Sequence, residues 1–463
     1  MISRRTLLGF ATGATGLGLL PLAGSAAPLS GPSIGMRGSI DAGTEGVIPG
    51  RGSKESEKTS RQLADLIAKA ARQNLPVFLS PGTYEVSNLM LPDGARLTGI
   101  AGATRLVYGG GGFLLRADGG SRIELSNLVI DGAGRGLDGQ TSALVHLSGV
   151  QDASIDNCEI LASAKTGLQL EGCGGRIERS SIGGAAEYGF YAVDSRRLSV
   201  TANSVSDCGN GGILIHRRSK GFDGTIISGN RIAQIGATNG GTGQYGNGIN
   251  LFRADGVTVT GNQITQAAFS AIRANSASNA QIANNQCFQS GETGIYAEFA
   301  FEGAVISGNM VDGAANGISV VNFNEGGRLA TVANNIVRNL AATGPYVLEE
   351  AIFGVGISVE ADTVVTGNVV ENAPLWGLAL GFGAYLRNVV ASGNMVRQAR
   401  IGCAVSVVEG AGNAIISGNL FQGMKDGAII GHRWKAPATA ELARGGQEAG
   451  KFPQLTIEGN RMI

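Results

Sequence analysis

A short motif ending in asparagine recurs along the chain and limits the fold more than any other feature. Strong copies, in which Gly or Asn precedes the asparagine, occur at Asn230, Asn262, Asn285, Asn309, Asn335, Asn368, Asn394, Asn419 and Asn460. Weaker copies lie at Asn127, Asn157, Ser181 and Asn203. Most successive copies are 22 to 33 residues apart. A period of this length is typical of a solenoid, in which each repeat forms one coil.

Apolar residues alternate with polar ones around each asparagine, as in Val257, Val259 and Ile264, which predicts half-buried strands. About ten residues later, a second motif places an apolar residue after a glycine at Gly167, Gly189, Gly212, Gly248, Gly294, Gly317, Gly356 and Gly377. Two or three short strands per coil bury their faces only by stacking, about 4.8 Å apart. We therefore expect the asparagines to form a ladder in one turn, each amide bonding the next coil.

A helix is predicted ahead of the coils, at about residues 59–73. Thr59 and Gln62 have the spacing of a capping box, and an apolar stripe follows at Leu63, Leu66, Ile67 and Ala70. A helix at this position would cover the open end of the solenoid and its exposed strand edges.

The N-terminus has the features of an export signal. Arg4 and Arg5 precede an apolar stretch that ends in small residues near Ala26, which predicts a twin-arginine signal peptide over residues 1–26. An uncleaved membrane anchor is disfavoured because glycine dilutes the apolar stretch. We expect a flexible segment at residues 27–52 and a periplasmic or secreted mature protein with no stable membrane insertion after cleavage.

The repeat resembles the right-handed parallel β-helix of the pectate-lyase-like superfamily. Together with the paired arginines, it resembles a bacterial family of twin-arginine-translocated repeat proteins. The resemblance implies an all-β, single-stranded right-handed parallel β-helix over residues 53–463, with an N-terminal capping α-helix and asparagine-ladder coils at about residues 120–463. It implies no particular activity.

Composition narrows the classes of partner and cofactor. Basic and acidic residues balance at 36 each, which indicates no nucleic-acid partner. Cys287 and Cys403 occupy positions where other repeats have Ile or Leu, so we expect buried thiols among the five cysteines. The sequence has no CxxC or HExxH metal spacing, and we expect no cofactor. A single Ca²⁺ held by carboxylates of adjacent coils stays open, and we expect a monomer.

Candidate site residues follow from the strand that begins at the second glycine. Its positions +1 and +3 are apolar and predicted to point inward, so positions +2 and +4 should face solvent. Polar and aromatic side chains concentrate on these outward positions between His146 and Glu298, whereas later coils have Ser, Ala and Gly. The insertions at residues 236–246 and 341–354 precede this strand and could wall the face.

These side chains suggest binding of an acidic polysaccharide, with lyase or C5-epimerase chemistry on uronates as one hypothesis. His216 would be the base, Arg273 would stabilise the developing negative charge, and Tyr296 would donate a proton. Predicted substrate-binding residues are His146, Gln169, Tyr191, Asn250, Arg253, Asn275, Glu298 and Glu360.

Two alternatives stay open. Glu298 and Glu360, predicted two coils apart, could be the carboxylate pair of a glycoside hydrolase. The protein could also be a non-catalytic periplasmic glycan-binding or scaffold protein. The cations of residues 212–221, namely Arg217, Arg218 and Lys220, are either solvated charges of a turn or part of the site.

Overall fold

The structure, a computed structural model, describes residues 38–50, 52–347, 352–444 and 447–463. The predicted signal peptide and residues 27–37 lie outside the described residues. Within the described part, a single sheet of 42 strands winds into stacked coils with three faces. The predicted all-β, right-handed parallel β-helix is confirmed. In the described chain, no helix combines the length and the apolar character needed to cross a bilayer.

The entry face contains the strand that leads into the asparagine turn of each coil. Its strands include Ile40–Asp41, Val77–Phe78, Arg96–Thr98, Gly175–Glu178, Ser199–Thr201, Ile226–Ser228, Thr258–Thr260, Ala280–Ala283, Glu302–Ser307, Arg328–Ala333, Thr363–Thr366, Val389–Ser392, Ala414–Ser417 and Leu455–Glu458.

The exit face contains the strand that leaves that turn. Its strands include Gly82–Val86, Thr104–Tyr108, Val129–Asp131, Glu159–Leu161, Ser181–Gly183, Ser204–Cys208, Arg231–Ile235, Gln263–Ala267, Gln286–Phe288, Met310–Asp312, Ile336–Arg338, Leu420–Gln422 and Arg461–Met462.

The glycine face contains the strand that begins at the second glycine. Its strands include Leu89–Met90, Thr166–Glu171, Tyr188–Val193, Gly211–Phe222, Asn247–Asp255, Ile272–Asn275, Thr293–Glu298, Asn316–Val320, Val355–Val359 and Gly427–Arg433. Leu115–Ser126 and Ala143–Asp156 continue from this face into the entry face, and Val369–Leu380 and Met395–Ser406 reach it from the exit face. Strands pair in parallel, except that Ala436–Glu441 pairs antiparallel with Gly427–Arg433.

The asparagine ladder is confirmed between the entry and exit faces. In every step from Asn203 to Asn460, the Nδ2 of one asparagine donates to the Oδ1 of the next at 2.9–3.0 Å. The residue before each ladder asparagine has φ between 56° and 66°, as at Gly308 and Asn334. Gly and Asn adopt this left-handed conformation most readily, which explains the Gly-Asn and Asn-Asn dipeptides.

The ladder begins later than the predicted residue 120, because the weaker motif copies before Asn203 do not align with it. Asn127 and Asn157 occupy the left-handed position, one residue before the ladder, and bond each other near the surface. Ser180 rather than Ser181 occupies the ladder position, where its hydroxyl accepts from Cys158 N and its backbone donates to Asn203. The Cys158 thiol and the Ser180 hydroxyl therefore replace the amide in two of these coils, and Leu128 occupies the position in the coil of Asn127.

The glycines that name the glycine face allow adjacent coils to approach closely. A Cβ at Gly317 would lie 2.3 Å from the Gly356 carbonyl oxygen and 2.3 Å from Val337 Cγ1. Similar collisions would occur at Gly294, Gly356 and Gly377. The second sequence motif thus contains glycine because a larger residue at this position would collide with the adjacent coil.

The capping helix is longer than predicted and spans Ser53–Arg72. Thr59 lies inside it rather than at its N-cap, which is Gly52 without a side-chain hydrogen bond, so the predicted capping box is wrong. The predicted stripe of Leu63, Leu66, Ile67 and Ala70 is buried.

The described part of the predicted flexible segment is ordered, which corrects that prediction for residues 38–50. Ile40–Asp41 pairs with Val77–Phe78, and Ala42 and Val47 are buried. Residues 38–463 form one compact unit. All five cysteines are buried and free, as predicted for thiols that pack as small apolar groups.

Candidate functional site

The register of the glycine face confirms which predicted residues share a column. The +2 column runs His146, Gln169, Tyr191, Leu214, Asn250, Arg273, Tyr296, Ser319, Ser358 and Ala379. The +4 column runs Glu171, Val193, His216, Phe252, Asn275 and Glu298. Each step is one coil, about 4.8 Å.

Several members of these columns are not exposed to solvent, contrary to the prediction. Gln169, Asn250, Arg273, Glu298 and Glu360 are all buried. The two insertions account for the burial around Arg273, because they lie over that part of the face. A side chain at Gly243, in the first insertion, would collide with the Arg273 guanidinium, and Tyr346, in the second, bonds Glu292.

Arg273 lies in a buried ionic cluster under this cover. Its Nε is 2.6 Å from Glu298 Oε1, and its Nη1 is 3.5 Å from Glu292 Oε2. Burial disfavours the charged guanidinium, but the attraction of Glu298 and Glu292 prevails and raises the pKa of Arg273. Because two glutamates already neutralise it, Arg273 is not free to bind a substrate carboxylate, and its predicted role is wrong.

Tyr296 and Asn275 complete this cluster. The Arg273 Cζ lies 5.1 Å from the Tyr296 ring centroid, and Asn275 Nδ2 donates to Glu298 at 2.9 Å. Burial raises the pKa of Tyr296 far above its usual value, and nearby carboxylates add to this rise. Burial also raises the pKa of Glu298, against the opposing effect of Arg273.

His216 is separated from this cluster. Its ring lies between the rings of Tyr191 and Phe252, at centroid distances of 5.2 and 5.6 Å, and its Nε2 is buried without a hydrogen-bond partner. Burial lowers the pKa of His216 to about 4. The +4 column places it three coils from Glu298, about 14 Å. The predicted base therefore has neither the pKa nor the position for the predicted mechanism.

His216 lies in a row of aromatic rings with Tyr188, Tyr191 and Phe252, of which Tyr191 is also a predicted site residue. Arg253 lies over the Phe252 ring, with Cζ 4.7 Å from the centroid. Further along, His146 Nε2 is 3.5 Å from Gln169 Nε2 and 3.7 Å from Glu171 Oε2. Burial lowers the pKa of His146, although Glu171 opposes this effect.

Residues 212–221 form part of one long strand, Gly211–Phe222, rather than the predicted turn. The register with the next coil shifts between His216 and Gly221, so the intervening cations bulge from the ladder of strand hydrogen bonds. Arg218 pairs with Glu171 and Asp194, and Lys220 donates to the Ala300 carbonyl. These charges are therefore bonded within the molecule rather than merely solvated.

The main cleft of the glycine face lies in the C-terminal coils, where the sequence indicated little function. Its volume is about 280 Å³. Tyr296, Ser319, Ser358 and Ala379 form its floor, in register across four coils. Tyr346, Ile352 and Phe353 of the second insertion wall it, which confirms that this insertion borders the face. Small floor residues leave room for a ligand.

The two ends of the cleft carry different polar groups. At one end, Glu360 is 8% exposed and its Oε2 accepts from Phe323 N at 2.6 Å; burial raises the pKa of Glu360 to about 7. Asn322 Oδ1 lies beside it in the lining, buried without a hydrogen-bond partner. At the other end, Glu292 accepts from Tyr346 Oη at 2.7 Å and from Ser270 Oγ at 2.9 Å.

The structure does not assemble the carboxylate pair predicted for hydrolysis. Glu298 bonds to Arg273 and Asn275, both on the preceding coil, and therefore points away from Glu360. Glu360 is the one predicted site residue besides Tyr296 that lines the cleft. Sequence reasoning missed Asn322, Trp376, Phe382, Tyr346 and Phe353; the aromatic residues of the second insertion were the available signal.

No group of three or more potential metal ligands is found among the described residues. The profile of the family described as "Right handed beta helix region" matches residues 106–245 and 221–436. The chain belongs to this family. Curated proteins give no match to this β-helix protein.

Solved structures similar to this β-helix protein include three with stated sources. The N-terminal fragment of bacteriophage phi29 gene product 12 aligns at 16% identity and TM-score 0.52, over 85% of this chain and 68% of its own. A GH87 alpha-1,3-glucanase catalytic unit from Streptomyces thermodiastaticus aligns at 16% identity and TM-score 0.44, over 92% of this chain and 69% of its own. A mannuronan C-5 epimerase A-module from Azotobacter vinelandii aligns at 14% identity and TM-score 0.39, over 91% of this chain and 100% of its own. The phage protein shares the fold, whereas the similarity to the enzymes is too weak to bear on function.

Proposed function

We propose that the protein binds a polysaccharide through the cleft of the glycine face. The observation that carries this proposal is the combination, in one groove, of aromatic side chains with hydrogen-bonding groups. Tyr296 and Phe382 offer flat apolar surfaces on which a sugar ring can stack, and Trp376 packs behind the floor. Asn322, Ser358 and Glu360 offer acceptors and donors for its hydroxyl groups.

The backbone of the cleft supports precise recognition. Its floor belongs to strands that pair in parallel across four coils, so floor side chains have fixed spacing. The groove crosses those coils rather than ending within one, which suits an extended chain better than a compact metabolite. Sites on rigid strands lose little conformational entropy on binding.

The test is to block the cleft with a large side chain on its floor. Ser358 lies at the centre of the floor, so Ser358→Tyr should fill the groove and weaken glycan binding at least about tenfold. Ser392→Tyr makes the same change at a half-buried position of the entry face and should leave affinity unchanged. Binding would be measured by calorimetry against the best ligand from a panel of neutral, acidic and amino-sugar polysaccharides.

Two results would contradict the proposal. One is the absence of binding to every glycan in the panel by the folded wild-type protein. The other is equal affinity of Ser358→Tyr and wild type, with both variants melting at the wild-type temperature.

A second candidate function is chemical modification of the bound glycan, with Glu360 as acid or base. A carboxyl with a pKa of about 7 is present in both protonation states near neutral pH, as proton transfer requires. The predicted uronate lyase or epimerase mechanism would need other partners, because His216 and Arg273 do not reach this cleft.

Glu360→Gln tests this candidate because it keeps the side-chain shape and removes the titrating group. If Glu360 transfers a proton, product formation should fall about 10²- to 10⁴-fold. Substrates would be scored for unsaturated products, new reducing ends and epimerised units. A wild-type protein that binds glycan but forms no product would restrict the function to binding.

We also propose that the protein leaves the cytoplasm by the twin-arginine route, on the basis of Arg4 and Arg5. Replacing both by lysine should retain the precursor in the cytoplasm, as cell fractionation would measure. Unimpaired export of that variant would contradict the proposal.

A further inference from the structure

Acidic side chains outnumber basic ones at the cleft. Three carboxylates, those of Glu292, Glu298 and Glu360, line the cleft or lie directly behind it, whereas Arg273 is the guanidinium among them. Arg273 contacts the first two of these glutamates and leaves Glu360 unpaired with any cation. The described lining residues include no Lys, Arg or His. The cleft is therefore an electronegative site.

Cations close to the Glu360 end do not offset this charge, because acidic side chains already hold them. Arg387 and Arg328 both pair with Asp362, and Arg328 pairs with Glu302 as well. Arg387 also lies over the Phe323 ring, with Cζ 4.3 Å from the centroid. Two guanidinium groups and two carboxylates thus balance within this network.

The acceptor atoms near Glu360 could be satisfied by a hydrogen-bond donor of the ligand. Asn322 Oδ1 is buried, lies in the lining and has no hydrogen-bond partner, which is costly for a polar atom in an empty site. Glu360 accepts from the Phe323 backbone and is more than nine-tenths buried. An anionic ligand would face these acceptors with like charge, whereas an ammonium group could donate to both.

The aromatic lining favours the same kind of ligand. Tyr296, Trp376 and Phe382 border the cleft, and a cation is attracted to the face of an aromatic ring. Carboxylate and aromatic groups together bind ammonium more strongly than either alone.

We propose that the cleft recognises a glycan with protonated amines, an amino-sugar polymer, rather than the uronate chain expected from the sequence. This inference rests on the proposed polysaccharide-binding function and specifies its ligand class. Charge selection occurs at Glu360 and Asn322, while the aromatic residues hold the sugar rings.

The experiment compares three hexasaccharides by calorimetry with the whole protein, at one ionic strength and at pH 6.5, where Glu360, with its pKa of about 7, is partly ionised. The ligands are β-1,4-linked glucosamine, its fully N-acetylated form and oligogalacturonate. We expect the free amine to bind at least about tenfold more tightly than the N-acetylated form, because charge-assisted bonds are stronger than neutral ones. Oligogalacturonate should bind most weakly.

Glu360→Gln should reduce the preference for the free amine to less than about threefold, because it weakens binding of the free amine more than binding of the N-acetylated form. The matched control is Glu325→Gln, which removes one exposed negative charge from the neighbouring segment Phe323–Glu325. It should retain the preference, because long-range attraction of a cationic ligand is screened by salt. Thermal melting would establish that both variants are folded.

The outcomes separate this inference from the proposed function. Equal or tighter binding of the N-acetylated or galacturonate chain by wild type would overturn the amino-sugar assignment and leave polysaccharide binding standing. Loss of the preference in Glu325→Gln would also overturn it, since the selectivity would then be nonspecific. Failure of every glycan in the wider panel would overturn the proposed function itself.

Discussion

The asparagine corner and the glycine face are built from the same coils but satisfy their polar groups differently. Asn309 in the corner is saturated: its Oδ1 accepts from Asn285, and its Nδ2 donates to Asn335 and to the Ile282 carbonyl. On the glycine face, His216 Nε2 and Asn322 Oδ1 are buried without hydrogen-bond partners.

This difference indicates a division of labour within each coil. Repeated identical neighbours let the corner satisfy every amide, so it contributes stability and order. The face breaks the repeat with insertions and unlike side chains, and accepts unsatisfied groups that a structural role would not require. If the division holds, changes in the corner should alter stability alone, and changes in the cleft should alter ligand binding.

The largest expected effect is a loss of stability when the buried ion cluster of Arg273 is broken. Arg273→Met should lower the free energy of unfolding by about 3–5 kcal/mol, because it leaves Glu292 and Glu298 buried without their cation. Arg218→Met is the control; its exposed pairs with Glu171 and Asp194 should contribute much less, because solvent screens them. Urea unfolding measures both, and similar losses would show that Arg273 is not a structural cation.

The corner should give the next largest effect. Asn309→Ala should cost about 1–3 kcal/mol by leaving the buried amides of Asn285 and Asn335 without partners, while glycan affinity stays unchanged. Gln422→Ala removes an exposed amide that accepts one bond from Arg397 and should cost less than about 0.5 kcal/mol. A weakened glycan complex in Asn309→Ala would break the proposed division.

The smallest effect concerns pH and His216. Its folded-state pKa of about 4 lies below the unfolded value of about 6.5, so the unfolded chain binds the proton first as pH falls. Wild type should therefore lose about 1–2 kcal/mol between pH 6 and 4.5 relative to His216→Phe, which keeps a ring between Tyr191 and Phe252. Parallel stability curves for the two proteins over this range would contradict the buried neutral state.

Most of the fold could be predicted from the sequence because it repeats. The asparagine, the left-handed residue before it and the close-packed glycine each recur with every coil, so their agreement outweighs local noise. The start of the ladder was misplaced because Asn127 and Asn157 have the right residue type one position early. The helix began earlier than predicted because Gly52 caps it without a side-chain signal.

The site was less predictable because it depends on what covers the repeat. The alternation of inward and outward side chains correctly placed Arg273 and His216 on the glycine face. The prediction also took every outward side chain to be exposed to solvent. The insertion around Gly243 and the aromatic neighbours of His216 reverse that assumption, and both act across coils rather than along the sequence. The cleft itself arises from small residues such as Ser319 and Ser358, whose importance is the space they leave.

The asparagine ladder also bears on how such a chain can evolve. Each amide bonds only to groups of its own coil and the adjacent coils, so duplicating or deleting one whole coil between Asn309 and Asn335 would leave no amide unpaired. The body can thus change length in steps of about 4.8 Å at little cost in stability. Because the floor of the cleft crosses these same coils, a single duplication would widen the groove by one step, giving descendants of this gene a direct path to a different ligand.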